Sequence, residues 1–274
     1  MNRYERALLD AGLLDGPVGP AYRRWLNNAE RRRVPPAAIV EIARRHGITA
    51  TSFAVLERAE PITDGAGQSY FLLPAGITGR DARSAALMTY VYNAGTDYGH
   101  GDRPADFPPT PYGADEVTRI AERQHANRWS YDQDVRLIDR HGGRLVATPN
   151  GILMAVLARR HRNRPVRVLS QRAGTAWGDI FMLNIGHRGD PAELLRAIVT
   201  SRHVWCADRA GRPVETTLDL DRVLHHEERH SRQWAAKGYL GMLRAYGREL
   251  VREALLQTTN RLEADAGLAD GGYR

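Results

Sequence analysis

Cysteine is nearly absent from this 274-residue chain: Cys206 stands alone, which excludes an internal disulfide framework and removes any argument for an oxidising compartment. Lysine is as scarce, Lys237 being the only one among 39 Lys and Arg, so the net charge of +7 is carried by arginine. Such a charge favours acidic partners in general and identifies none. No window approaches 18 apolar residues, which excludes a membrane-spanning helix. The first fourteen residues carry Arg3, Glu5, Arg6 and Asp10 in an amphipathic pattern unlike a signal peptide. The expected location is therefore cytoplasmic. Charged residues at 26% and hydrophobic residues at 42% exclude a disordered chain and leave room for one large or two modest domains.

One short run joins residue type to spacing in a way that specifies chemistry: His226-Glu227-Glu228-Arg229-His230. Side chains at i and i+4 leave one helix face about 6 Å apart, so two imidazoles can grip one ion. Glu227 is then placed to take a proton from a water at an open metal position. The surroundings suit a helix over 219–237, with Asp219 and Asp221 near its start, Leu220, Val223, Leu224 and Trp234 on an apolar side, and Gly238 at its end.

The rest of the chain reads as α+β, predominantly helical. Short helices are expected near 3–14, 20–33, 36–46 and 50–59. Ala43, Gly47, Ile48, Phe53 and Leu56 match helix-turn-helix spacing over 39–57, with Thr51 and Arg58 as candidate DNA contacts, although only Arg58 on that helix is basic. Residues 61–67 read as a linker, followed by a strand at 70–73 and a helix at 81–93. A turn-rich loop spans 95–112. Helices near 114–126 and 130–140 precede a hairpin turning at Asn150-Gly151. Past Pro165, strands are expected at Val166 to Leu169 and Trp177 to Leu183, the latter with an edge for an extended peptide. A helix opens at Asp190-Pro191, residues 203–215 read as irregular, and a helix over 239–256 reads as strained at Gly247. The parts are expected as a helical region 1–62, a middle α+β region 63–165 of unknown role, and a C-terminal unit 166–274.

From about Gly174 to Tyr273 the chain resembles the small gluzincin-like zinc metallopeptidase domains of many bacterial proteins. The residues that carry the likeness are Gly178-Asp179-Ile180-Phe181, then His226-Glu227 with His230 and Gln233, then Asn260-Arg261-Leu262-Glu263-Ala264-Asp265-Ala266. The resemblance implies a zincin-like domain with a small sheet, Zn²⁺ as cofactor, a peptide or protein substrate, Glu227 as general base, and Glu263 as the third ligand beside His226 and His230. Glu253 and Glu249 are rivals for the third position. Gln233 is expected to brace a ligand, Asp265 to hold the Nδ1 proton of a ligating histidine, and Glu228 to face away and pair with Arg232. Tyr239, Tyr246, Tyr273 and His203 are candidates for stabilising an oxyanion. Two readings of other classes stand beside the peptidase: a catalytically inactive binding protein stabilised by zinc, and a DNA-binding regulator acting through 39–57. The sequence does not specify an oligomeric state.

Overall fold

Proline sets the start of three helices, each with the ring at the first helical position, where a missing N–H costs no hydrogen bond. They are α2 (Pro20–Arg31), α3 (Pro36–His46) and α8 (Pro191–Ser201). The computed structural model describes residues 1–158, 174–185, 189–209 and 211–273. Its other helices are α1 (Arg3–Asp10), α4 (Ala54–Glu57), α5 (Gly79–Tyr92), α6 (Ala114–Ala126), α7 (Val135–Arg140), α9 (Leu220–Leu256) and α10 (Arg261–Ala266). The strands are β1 (Glu60–Thr63), β2 (Ser69–Leu72), β3 (Arg144–Ala147), β4 (Leu153–Val156), β5 (Gly174–Trp177), β6 (Ile180–Leu183), β7 (His203–Ala207) and β8 (Pro213–Asp219). The molecule is mixed α+β and about half helical.

Six strands form one sheet in the order β1-β2-β3-β4-β6-β5, antiparallel except between β4 and β6. Side chains alternate across it, so each face builds its own core. Phe71, Leu145, Ala147, Leu153, Ala155 and Ile180 join residues of α1 to α7 on one side. Tyr70, Leu72, Val146, Met154, Val156 and Phe181 meet α8 and the first turns of α9 on the other. Strands from either side of residue 165 thus share a single sheet.

Several local expectations change. Residues 61–67 are not a linker: β1 pairs with β2 from Glu60 to Thr63, and Asp64 caps the turn by accepting N–H groups of Ala66 and Gln68. The helix expected at 50–59 shrinks to the single turn of α4, because Thr49, Thr51 and Ser52 bond one another instead of continuing a helix. Phe53 there packs edge-on to Tyr22 and against Trp25, and Arg58 pairs with Asp81. A one-turn helix with its apolar side in the core leaves no recognition helix to enter a major groove. Residues 203–215 are not irregular but most of the antiparallel pair β7–β8. The strand expected at Val166 to Leu169 lies outside the described residues.

Trp177 to Leu183 is not one strand. Gly178-Asp179 forms a two-residue turn, Gly178 with φ +62° and a Cβ position that would meet Ser130 Cβ at 2.5 Å, so only glycine fits. The edge strand is accordingly β5, and β6 lies inside the sheet. Gly247 does not kink α9. The break falls at Gly238, with φ 67° and ψ 168°, where 220–237 ends and 239–256 begins in a new direction.

Candidate metal centre

The first part of α9 is packed rather than solvated, and His225, His226, Glu227, Glu228 and His230 are all buried. His226 Nε2 and His230 Nε2 lie 3.1 Å apart. The carboxylate Oε2 of Glu263, on α10, lies 3.2 Å from the His230 nitrogen and 3.3 Å from that of His226. Among the described residues these three form the group able to hold a metal ion.

The other ring nitrogens are fixed from behind. His226 Nδ1–H donates to the carbonyl of Gly267 at 2.9 Å, and His230 Nδ1–H to Gln233 Oε1 at 2.9 Å. Gln233 Nε2 in turn donates to the Leu262 carbonyl and to Asp265 Oδ2, at 2.9 and 2.8 Å. Both histidines therefore offer Nε2 to the common point. Gln233 braces a ligand as expected. Asp265 does not hold a histidine itself: it orients the glutamine that does, one bond further out. Burial opposes charge on His230, but Glu263 overrides it and pushes the imidazole up to about 9. Burial would raise Glu263, yet the two histidines hold its carboxyl well below the usual carboxylate range.

The rivals for the third position are elsewhere. Glu249 accepts the backbone N–H of Arg261 at 2.9 Å and pairs with Arg252, and Glu253 is not in the ligand group.

Glu227 is buried, and burial raises its carboxyl above the ordinary value. One of its oxygens accepts the N–H of Ala176 in β5, while Oε2 has no hydrogen-bond partner among the described residues. A buried carboxylate oxygen left unpaired costs about 1–3 kcal/mol or more, and Glu227 lines a cavity of about 120 Å³ together with His226, His230 and Glu263. The carbonyl of the same Ala176 accepts the Trp234 indole N–H at 3.0 Å. Both outward backbone groups of Ala176 in the edge strand β5 are thus taken by residues of α9; most of 177–183, expected as an edge, is the interior strand β6.

Of the expected oxyanion donors, Tyr246 and Tyr273 line the cavity, and the Tyr273 phenol bonds Glu263. Tyr239 belongs to a ring cluster with Trp129, Trp177 and Trp234, and His203 pairs with Glu215 on the β7–β8 hairpin.

Glu228 pairs with Arg232 at 2.7 Å but does not face away. It is fully buried, and also bonds Arg119 at 2.7 Å and Arg123 of α6. Burial alone would raise its carboxyl; the three guanidiniums hold it well below the usual range. Arg123 reaches Asp179 in the β5–β6 turn at 3.2 Å and donates to the Gly151 carbonyl at 2.6 Å. Asn127, which ends α6, donates to Asp179 Oδ1 and to the Ser231 carbonyl at 2.7 and 2.8 Å, and Tyr131 donates to Asp179 Oδ2 at 2.9 Å. This network ties the first part of α9 to the hairpin that supplies Ala176. Nothing in the sequence signals it, since the partners of Glu228 on α6 lie more than a hundred residues away.

The long loop 95–112 packs beneath the same helix. Asp221 accepts N–H groups of Gly99 and His100, Arg222 donates to the carbonyls of Arg103 and Pro104 and pairs with Asp270, and Arg229 stacks over Phe107 at 3.3 Å. No described helix is long and apolar enough to cross a membrane. No family model, no curated protein and no solved structure matches this chain.

Proposed function

We propose that the chain is a zinc-dependent metallopeptidase, with a zincin-like arrangement in its C-terminal third, that hydrolyses a peptide bond with Glu227 as general base. The observation that carries this reading is the triangle of donor atoms. Around a tetrahedral zinc with ligands at ~2.0–2.1 Å, neighbouring donors stand about 3.3 Å apart. The separations among His226 Nε2, His230 Nε2 and Glu263 Oε2 are 3.1, 3.2 and 3.3 Å. Two imidazoles and one carboxylate, with nothing else from the described chain in the group, are also the donor set of a catalytic site that keeps one position open.

Zinc held there supplies Lewis acidity toward a carbonyl and brings the pKa of a bound water to about 7. The chain's own residues do the rest. Glu227 accepts a proton from the water as its oxygen attacks the carbonyl carbon, and returns it to the nitrogen as the C–N bond breaks. The Ala176 N–H holds the Glu227 carboxylate in place beside the histidines. Tyr246 and Tyr273 line the cavity and are the candidate phenols for the developing oxyanion, Tyr273 on release of its bond to Glu263. The network of Glu228, Arg123 and Asp179 keeps helix and hairpin at the separation this requires.

Elemental analysis of protein purified without chelator should give one zinc per chain, and none for His226→Ala. Digestion of a mixed peptide library, read by mass spectrometry, should show cleavage that Glu227→Gln reduces by roughly 10²–10⁴-fold with zinc retained. A Glu227→Gln protein that binds zinc and cleaves as well as the parent would end the proposal.

A further inference from the structure

The cavity has two chemically different ends. His226, Glu227, His230 and Glu263 occupy one. The other is walled by Trp177, Trp234, Met242, Leu243, Tyr246 and Gly247, none of which is charged at neutral pH. Two elements make these walls: β5 with the adjoining part of 220–237, and the helix 239–256 swung across by the turn at Gly238.

Gly247 is the unexpected member. It lies in the interior of a helix, where glycine is less favourable than alanine by roughly 1 kcal/mol. A Cβ built there meets nothing within 4 Å. Neither close packing nor an unusual φ requires glycine, and the position borders the cavity. Gly247 is itself exposed, so the space it leaves lies at the rim of the cavity. The whole cavity, about 120 Å³, is a little smaller than the ~150 Å³ apolar cavity known to admit benzene. That is room for a side chain of about leucine or methionine size.

We propose that the site selects peptides carrying a bulky apolar side chain next to the scissile bond. That side chain enters the end walled by Trp177, Met242, Leu243 and Tyr246, past Gly247 at its exposed rim. The inference rests on the metallopeptidase reading, and the following experiment separates the two. Zinc-loaded full-length protein is titrated with acetohydroxamate and with peptidyl hydroxamates whose side chain is hydrogen, isobutyl or carboxymethyl. Binding is followed by calorimetry and by tryptophan fluorescence, since Trp177 and Trp234 line the cavity.

The isobutyl compound should bind at least about tenfold more tightly than the hydrogen compound, and the carboxymethyl compound no better than hydrogen. Gly247→Leu should erase most of the isobutyl preference while leaving zinc and acetohydroxamate affinity within about twofold. Gly247→Ala, which places only a methyl group in the space, should keep most of the preference and raise the melting temperature. Equal affinity for isobutyl and hydrogen, or an isobutyl preference that survives Gly247→Leu, overturns the pocket assignment with the peptidase reading intact. Zinc-loaded protein that binds no hydroxamate at all overturns both.

Discussion

Removal of the Glu263 carboxylate tests the metal centre most directly. Zinc at a thousand times its dissociation constant stabilises a folded protein by about 4.1 kcal/mol. For a chain of this size each kcal/mol moves the melting temperature by roughly 2–4 °C, so saturating zinc should raise it by about 8–16 °C at pH 8. Glu263→Gln removes one of three donors, and His226→Ala another. Each should reduce the zinc-induced rise to no more than a few degrees, whereas Glu227→Gln, outside the donor triangle, should keep it. The comparison must be of the rise and not of absolute melting temperatures. Metal-free Glu263→Gln also loses the carboxylate that lies 3.2 Å from His230. A second readout follows from that pair. With its pKa up at about 9 in the metal-free protein, His230 carries a proton at neutral pH that zinc must displace. Affinity should therefore fall about tenfold per pH unit below 9, and the zinc-induced rise should shrink between pH 8 and pH 6 by the equivalent of ~2.7 kcal/mol. Differential scanning fluorimetry with and without zinc, at both pH values, measures all of this. A rise of equal size in the parent, Glu263→Gln and His226→Ala proteins would refute the assignment of the donors.

Arg123→Met leaves Glu228 and Asp179 buried without that guanidinium, and should cost about 3–5 kcal/mol in chemical denaturation; a loss below 1 kcal/mol would deny the network its role. Gly238→Ala forces a side chain into φ 67°, ψ 168°, and should cost on the order of 1–3 kcal/mol although nothing crowds the position. Asp134 has an unpaired buried oxygen and a carboxyl raised by burial to about 6. Because its folded pKa lies above the ordinary 3.8, the parent loses stability as pH rises from about 4 through 6. Asp134→Asn should therefore be more stable by ~1 kcal/mol at pH 7.5, a figure reduced for partial solvent screening, and equal to the parent near pH 3.5; a gain independent of pH would contradict this.

The parts of the site that can be read from sequence are those governed by local geometry. His226 and His230 are legible because one helical turn fixes their separation. The helices α3 and α6 lie where helices are expected, at 36–46 and 114–126, and α3 is bounded by Pro36 and Gly47, chemical signals confined to single residues. Glu263 comes from the spacing in the family resemblance. Glu228 reads wrongly as facing away because burial belongs to the fold: its arginine partners on α6 are distant in sequence. The role of Ala176 is invisible for a different reason, since its backbone and not its side chain makes the contacts. The turn at Gly178-Asp179 hides inside a run whose apolar residues on both sides read as one strand. Residues 50–59 look helical by apolar spacing, yet the hydroxyls of Thr49, Thr51 and Ser52 satisfy one another locally and delay the helix to a single turn.

The parallel pairing of β4 with β6 has a practical consequence for anyone dissecting this molecule. Leu153, Met154 and Ala155 are the register partners of Ile180, Phe181 and Met182, so a fragment starting at residue 166 would be born with a raw hydrogen-bonding flank. The face of β6 that loses its cover is that of Ile180, which packs on α1 to α7, while Phe181 keeps α8 and α9; such a piece should stick to itself rather than fold. The third that carries His226, His230 and Glu263 and the sheet built largely before it have to be made, purified and altered as one.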